Sequence, residues 1–356
     1  MLKLLDRNRE RTADPNPRSR RKSKKRRRVM PPGQRLLRAV ALAVVLSVLI
    51  PSLKGYWGGD EPAQSKEAMK MVKLNPPFEL TSALPGLQKE LKDLDKVDTN
   101  IPGVFAIEIE SGKYVEFNGN RPYSAASLIK VPILISFLRN CDLKKCSMDD
   151  ELEVTDTVKT SGSGFLQWRK SGTKYTARRT AELMMIYSDN TATNMLIDHL
   201  GGKEKLNKNF RVWGLKNTKI NNYLVDIEGT NITSPYDLVY LLGRVDHGEL
   251  ISEGNREFMY EIMEKCRNRS MLPQGLGPGA KIVHKTGTLG KVLGDAGIVT
   301  TADGKRYAVA IQVERKRNDR RANALIREWS ELIYNAYEHP RHIVSSRQRD
   351  SELRSN

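Results

Sequence analysis

Ser127-Leu128-Ile129-Lys130-Val131-Pro132-Ile133-Leu134-Ile135 is the stretch on which the fold and chemistry of this chain turn. A serine and a lysine three positions apart fall on one face of a helix, and the apolar run behind them lets that helix bury itself. The Lys130 amine can then approach the Ser127 hydroxyl. A hydroxyl is a poor nucleophile until a base takes its proton, and burial or a second cation lowers a lysine pKa far enough for that task. The helix start adds free backbone N–H groups beside the serine, where an oxyanion would form. Pro132 removes one early helical hydrogen bond and predicts distorted first turns. Two other Ser-x-x-Lys tetrads, at Ser19 and Ser171, have no apolar run behind them.

Two more motifs follow. Ser188-Asp189-Asn190 joins the end of one expected helix, 177–187 with Thr176 as its N-cap, to the start of the next at 191–200. Lys285-Thr286-Gly287 follows the short strand Lys281-Ile282-Val283-His284. The three motifs are separated by 61 and 97 residues, each in a fitting local context. In this order they make the chain resemble the class A β-lactamases and related penicillin-recognising serine hydrolases, over about residues 84–337. The resemblance implies an acylated nucleophile at Ser127, with Lys130 as its base or proton relay. Ser188 would pass the proton to the leaving nitrogen. Asn190 would hold Lys130 and the substrate amide, and Asp189 would brace the loop from behind. Lys285 and Thr286 would meet a substrate carboxylate, Gly287 would let the backbone approach, and the N–H groups of Ser127 and Thr288 would form the oxyanion hole.

One part of the family pattern is missing. Class A enzymes activate the deacylating water with a Glu on a long loop that closes in a Thr-rich tripeptide ending in Pro. Before Thr233-Ser234-Pro235 this chain has only Asn222-Tyr223-Leu224-Val225-Asp226-Ile227-Glu228-Gly229-Thr230-Asn231-Ile232, without Glu-x-x-Leu-Asn. Glu228 or Asp226, with Asn231 as companion, are the candidate bases. Three outcomes follow: a β-lactamase opening cyclic amides through acyl-Ser127, a D-alanyl-D-alanine peptidase or esterase acting on cell-wall peptides, or a β-lactam sensor acylated without turnover. None of them calls for a cofactor or a metal.

Around these motifs the patterns predict an α/β (α+β) domain. Gly103–Glu110 and Tyr114–Asn118 alternate as a hairpin around Ser111-Gly112-Lys113, and two strands, 293–301 and 306–314, flank Ala302-Asp303-Gly304. Helices fit 127–139, 203–213, 235–247 and 252–265, and Leu325, Ile326, Trp329, Leu332 and Ile333 mark a last one. Strands at both ends and helices between them predict an antiparallel sheet built from the two ends, with a helical region inserted.

The chain has 356 residues and a formal charge of +18, but residues 1–38 hold fifteen Lys/Arg against Asp6, Glu10 and Asp14. The charge thus describes a tail rather than a nucleic-acid-binding domain. The apolar segment 39–53 behind it reads as a signal anchor, or a cleaved signal peptide, with 1–38 in the cytoplasm and the rest exported. Residues 54–80 read as a linker and 338–356 as a loose tail. Cys141 and Cys146 are either a small-loop disulfide or two free thiols, and Cys266 is left over. His284 has no evident acidic partner and is assigned a structural role. Phe165, Leu166 and Trp168 are candidates for the pocket mouth. The absence of CxxC and HExxH argues against zinc.

Overall fold

Alternating apolar residues build the sheet. The computed structural model describes residues 78–339. The basic tail, the 39–53 segment, most of the linker and the residues from 340 onward lie outside them. Strands β1 (Ser82–Ala83), β2 (Ile101–Glu108), β3 (Lys113–Phe117), β8 (Lys281–Leu289), β9 (Val292–Thr300) and β10 (Arg306–Glu314) form one sheet. Its order is β1-β3-β2-β10-β9-β8, so the two ends of the domain meet where β2 pairs with β10. All pairs are antiparallel except β1 with β3, which departs from the all-antiparallel expectation.

Both faces of the sheet are covered, as the two-residue period of side chains permits. Val104, Ala106, Val309 and Ile311 pack with Leu87 and Leu91 of α1 (Pro85–Leu94) and with Trp329 and Ile333 of α8 (Arg321–Glu338). Phe105, Ile107, Ala308 and Ala310 face the other way, into a core shared with the inserted helices. These are α2 (Lys130–Asp142), α3 (Ala177–Ile186), α4 (Asn190–His199), α5 (Gly202–Val212), α6 (Pro235–Asp246) and α7 (Glu253–Glu264). Two small ribbons, β4 (Tyr123–Ser124) with β7 (Ile232–Thr233) and β5 (Glu151–Glu153) with β6 (Lys174–Thr176), tie the insertion down. Helix ends follow their caps: Thr176 accepts from Arg179 N, Asp189 from Ala192 N and Ser234 from Asp237 N.

Two local differences from the expected pattern matter for the site. Ala126–Ile129 is a 3-10 turn, and the α-helix proper begins at Lys130, in line with the distortion expected from Pro132. The strand expected to stop at His284 instead runs on to Leu289, so Lys285-Thr286-Gly287 lies within β8, at the free edge of the sheet. Among the described residues no helix is long and apolar enough to cross a membrane.

Candidate active site

The 3-10 turn eclipses residues three apart, which stacks Lys130 on Ser127. Lys130 Nζ lies 2.9 Å from Ser127 Oγ, 3.0 Å from Ser188 Oγ and 2.9 Å from Asn190 Oδ1, and it donates to the Ser188 carbonyl at 2.7 Å. Ser188 Oγ closes a triangle by donating to Ser127 Oγ at 2.9 Å. The Lys130 side chain is fully buried. Burial holds its pKa well below the usual lysine value and the positive Lys285 lowers it further, with Asp189 opposing them. Four oxygens surround a group that has only three N–H donors when charged. Burial and the Lys285 charge favour the neutral amine, whose lone pair can take a proton from a serine hydroxyl and so act as a base.

Backbone conformation sets the two hydroxyls. Ala126, next to the nucleophile, has φ +46°, and Ser188 has φ +57°. Both are left-handed conformations that non-glycine residues seldom adopt. Asp189 holds the second in place from behind. Its fully buried carboxylate accepts from Phe165 N at 2.8 Å, Leu166 N at 2.9 Å and Ala192 N at 2.9 Å. The loop Ser161–Gly164 is thereby drawn against the motif. Asn190 donates to the Ser161 carbonyl at 3.1 Å, and Asn190 N donates to Ser163 O at 3.0 Å. Gly164 sits at φ +92°, where a Cβ would stand 2.2 Å from the Asp189 carboxyl carbon, so this tight contact needs glycine.

β8 supplies the opposite wall. The two-residue turn Gly290-Lys291 makes Leu289 and Val292 a hydrogen-bonded pair, and pairing alternates from there. Thr288 therefore stands opposite Leu293 in a non-bonded pair, with its N–H turned off the sheet edge. That is where the resemblance requires the second oxyanion donor. Gly287 serves packing of the protein on itself: a Cβ there would lie 3.0 Å from Leu128 Cγ and 3.1 Å from the Ala125 carbonyl. Its bareness lets β8 press against the nucleophile turn. Lys285 is buried, donates to the Thr286 carbonyl at 2.7 Å and has its pKa lowered by burial.

The candidate deacylation bases make no hydrogen bond to the triangle of Ser127, Lys130 and Ser188. Asp226 is buried and bonds within its own loop, to Thr230 Oγ1 at 2.8 Å and Asn231 N at 2.6 Å. Glu228 is exposed and makes no hydrogen bond or ion pair. Asn231 also braces this loop, accepting from Asn221 N and Asn222 N, while its carbonyl accepts from Ala125 N at 2.7 Å. Among the described residues no carboxylate hydrogen-bonds to Ser127, Lys130 or Ser188. A depression of about 510 Å³ is lined by Thr157, Lys203 and the loop Asn222–Glu228, and by none of the three motif residues.

Sequence reasoning missed two partners. Asn194 clamps this loop, donating to the carbonyls of Val158 at 3.1 Å and Leu224 at 2.5 Å and accepting from Leu224 N at 2.9 Å. Its place one helical turn after Asn190 was the available signal. His284 does have an acidic partner, Asp295, at 2.8 Å, both fully buried on neighbouring strands; only the strand register brings them together. The pocket-mouth trio divides: Leu166 is core, Phe165 packs edge-on to Tyr187 at 5.6 Å, and Trp168 is 76% exposed. Cys141 and Cys146 are free thiols with sulfurs 3.3 Å apart.

Known proteins share this fold. The structure titled PBP-A is 40% identical, with a TM-score of 0.72, covering 74% of this chain and 99% of its own. A leucine-to-glutamate variant of PBP-A, solved as an acyl-enzyme complex with penicillin G, matches with a TM-score of 0.71. A β-lactamase from Streptomyces fradiae is 25% identical over 274 residues, 71% of this chain and 88% of its own length. A β-lactamase structure from Sphaerobacter thermophilus is 25% identical with a TM-score of 0.64, covering 71% of this chain and 97% of its own. Residues 86–337 match the profile of the β-lactamase enzyme family; with its β-lactamase/transpeptidase-like fold, the chain belongs to that family of serine hydrolases.

Proposed function

We propose that the chain is a penicillin-binding acyl-serine hydrolase that opens amides through Ser127 and releases the acyl group slowly, its natural substrate being a D-alanyl peptide of the cell wall. Neutral Lys130 takes the Ser127 proton as Oγ attacks the carbonyl, and the N–H groups of Ser127 and Thr288 receive the oxyanion. The proton returns through Ser188 Oγ to the leaving nitrogen. Asn190 orients the substrate amide, while Lys285 and Thr286 hold its carboxylate. Asp226 and Glu228 take no part.

One observation carries the choice of slow release: among the described residues no carboxylate is bonded to the Ser127–Lys130–Ser188 triangle. Without a positioned general base, hydrolysis of the ester loses about 10²–10⁴-fold. The likeness to PBP-A points the same way. Fifteen cations before the apolar segment 39–53 support export of the domain on an N-terminal anchor or behind a cleaved signal. The test is time-resolved intact-protein mass spectrometry with a β-lactam, with Ser127→Ala as control. A single adduct at Ser127 persisting far longer than its formation is expected, together with D-alanine release from a peptidoglycan-like peptide. Turnover too fast for an adduct to accumulate would make the chain a β-lactamase, and no adduct in folded protein would remove the acyl-serine reading.

A further inference from the structure

We propose that Cys141, Cys146, Asp150 and His199 form a structural zinc site at the far end of the nucleophile helix. The ligand atoms of Cys146, Asp150 and His199 all lie within 4.8 Å of one another, and Cys141 Sγ is 3.3 Å from Cys146 Sγ. Zinc bonds of about 2.0–2.3 Å in a tetrahedron place ligand atoms roughly 3.3–3.8 Å apart, so small side-chain movements close Cys146, Asp150 and His199 around an ion, and a turn of the Cys141 side chain toward it adds the fourth ligand. Two sulfurs, one nitrogen and one oxygen fill all four positions and leave no open one for substrate. The site is therefore a closed, structural one. The absence of CxxC and HExxH does not speak against it, because its ligands come from three segments: the end of α2, the loop after it and the end of α4.

An independent observation points to a ligand. His199 Nε2 is buried without a hydrogen-bond partner although Asp150 Oδ2 lies 3.2 Å away. A shared cation would give His199 Nε2 a partner and Asp150 Oδ2 a second one beside Ser147 N. The frame is already built. Asp150 Oδ2 accepts from Ser147 N at 2.8 Å, and the Asp150 carbonyl accepts from Ala177 N at 2.8 Å. The Cys141–Cys146 loop is turned by Lys144 at φ +54° and held by Lys145 N on Asn140 O at 2.9 Å. Zinc would enter as the two thiols release their protons to solvent. A disulfide is the competing state, but it would leave His199 and Asp150 unexplained.

The position gives the ion a task. α2 and α4 start side by side, where Lys130 bonds Asn190, and both end at this cluster. Thirteen residues of α2 span about 20 Å, so the ion would pin the two helices at the end remote from Ser127. The test uses the full-length chain, isolated and kept reduced, titrated with Co²⁺ and then Zn²⁺. We expect one ion per chain, tetrahedral cobalt absorption with a thiolate charge-transfer band, and bleaching by zinc. Cys146→Ser should abolish that band, and His199→Ala should weaken cobalt binding by more than about tenfold, the scale already known for outer-shell partners. Acylation of Ser127 should persist in both. Should either variant fail to fold, a chelator applied to the native chain should lower its Tm, and zinc should restore it. A folded, reduced chain that binds cobalt without a thiolate band, or not at all, overturns the proposal. So does a chain isolated metal-free with Cys141 and Cys146 bridged.

Discussion

Replacing Asp189 with asparagine separates bracing from substrate contact at the centre of the site. The carboxylate is fully buried and accepts three backbone N–H groups. An amide of the same shape has one oxygen, so it keeps either the Phe165–Leu166 pair or Ala192 and turns its NH2 toward a donor on the other side. One buried N–H is then left unpaired and the remaining bonds lose their charge assistance, which together cost about 2–4 kcal/mol. For a domain of this size each kcal/mol lowers Tm by roughly 2–4 °C. Asp189→Asn should therefore melt about 4–16 °C lower, read by calorimetry or by circular dichroism. The same change removes a charge that favours protonated Lys130, so the acid limb of the acylation rate should move to lower pH. Unchanged melting combined with lost acylation would refute the bracing role and make Asp189 a substrate contact.

Lys130→Met should slow acylation by about 10²–10⁴-fold in folded protein, the usual contribution of a general base, measured by stopped-flow with a chromogenic β-lactam. In the native chain acylation should rise with pH through the folded pKa of Lys130, which lies below 10.5. The unfolded chain binds that proton more tightly, so denaturant unfolding should show stability rising with pH between the folded value and 10.5. Gly287→Ala would press a methyl against Leu128 and the Ala125 carbonyl; a stability loss of about 1–3 kcal/mol and slower acylation are expected, by urea unfolding and adduct kinetics.

The fold and the triangle at Ser127 were legible because each depends on local pattern. Apolar alternation marked β2, β3, β9 and β10, the Thr176 cap and helical periodicity marked helices, and three short motifs in order marked the site. What escaped depends on register or on loops meeting across space. Asp295 reaches His284 only because β9 pairs with β8. Asn194 meets Leu224 across thirty residues. Asp226 looked like a candidate base because sequence shows the acid but not the Thr230 and Asn231 groups that occupy it. His199 and the three side chains around it lie on three segments, so no spacing could reveal them.

The left-handed residues at 126 and 188 restrict how this scaffold can evolve. Each costs about 1–2 kcal/mol relative to an ordinary helical conformation, and the surrounding fold supplies that energy. A β-branched residue at 126 would raise the cost, and glycine would remove it while loosening the orientation of the neighbouring hydroxyl. Exposed positions such as Trp168 are free to drift. Positions 126 and 188 are not, so diversification of this enzyme should run through its loops while the backbone beneath the two hydroxyls stays fixed.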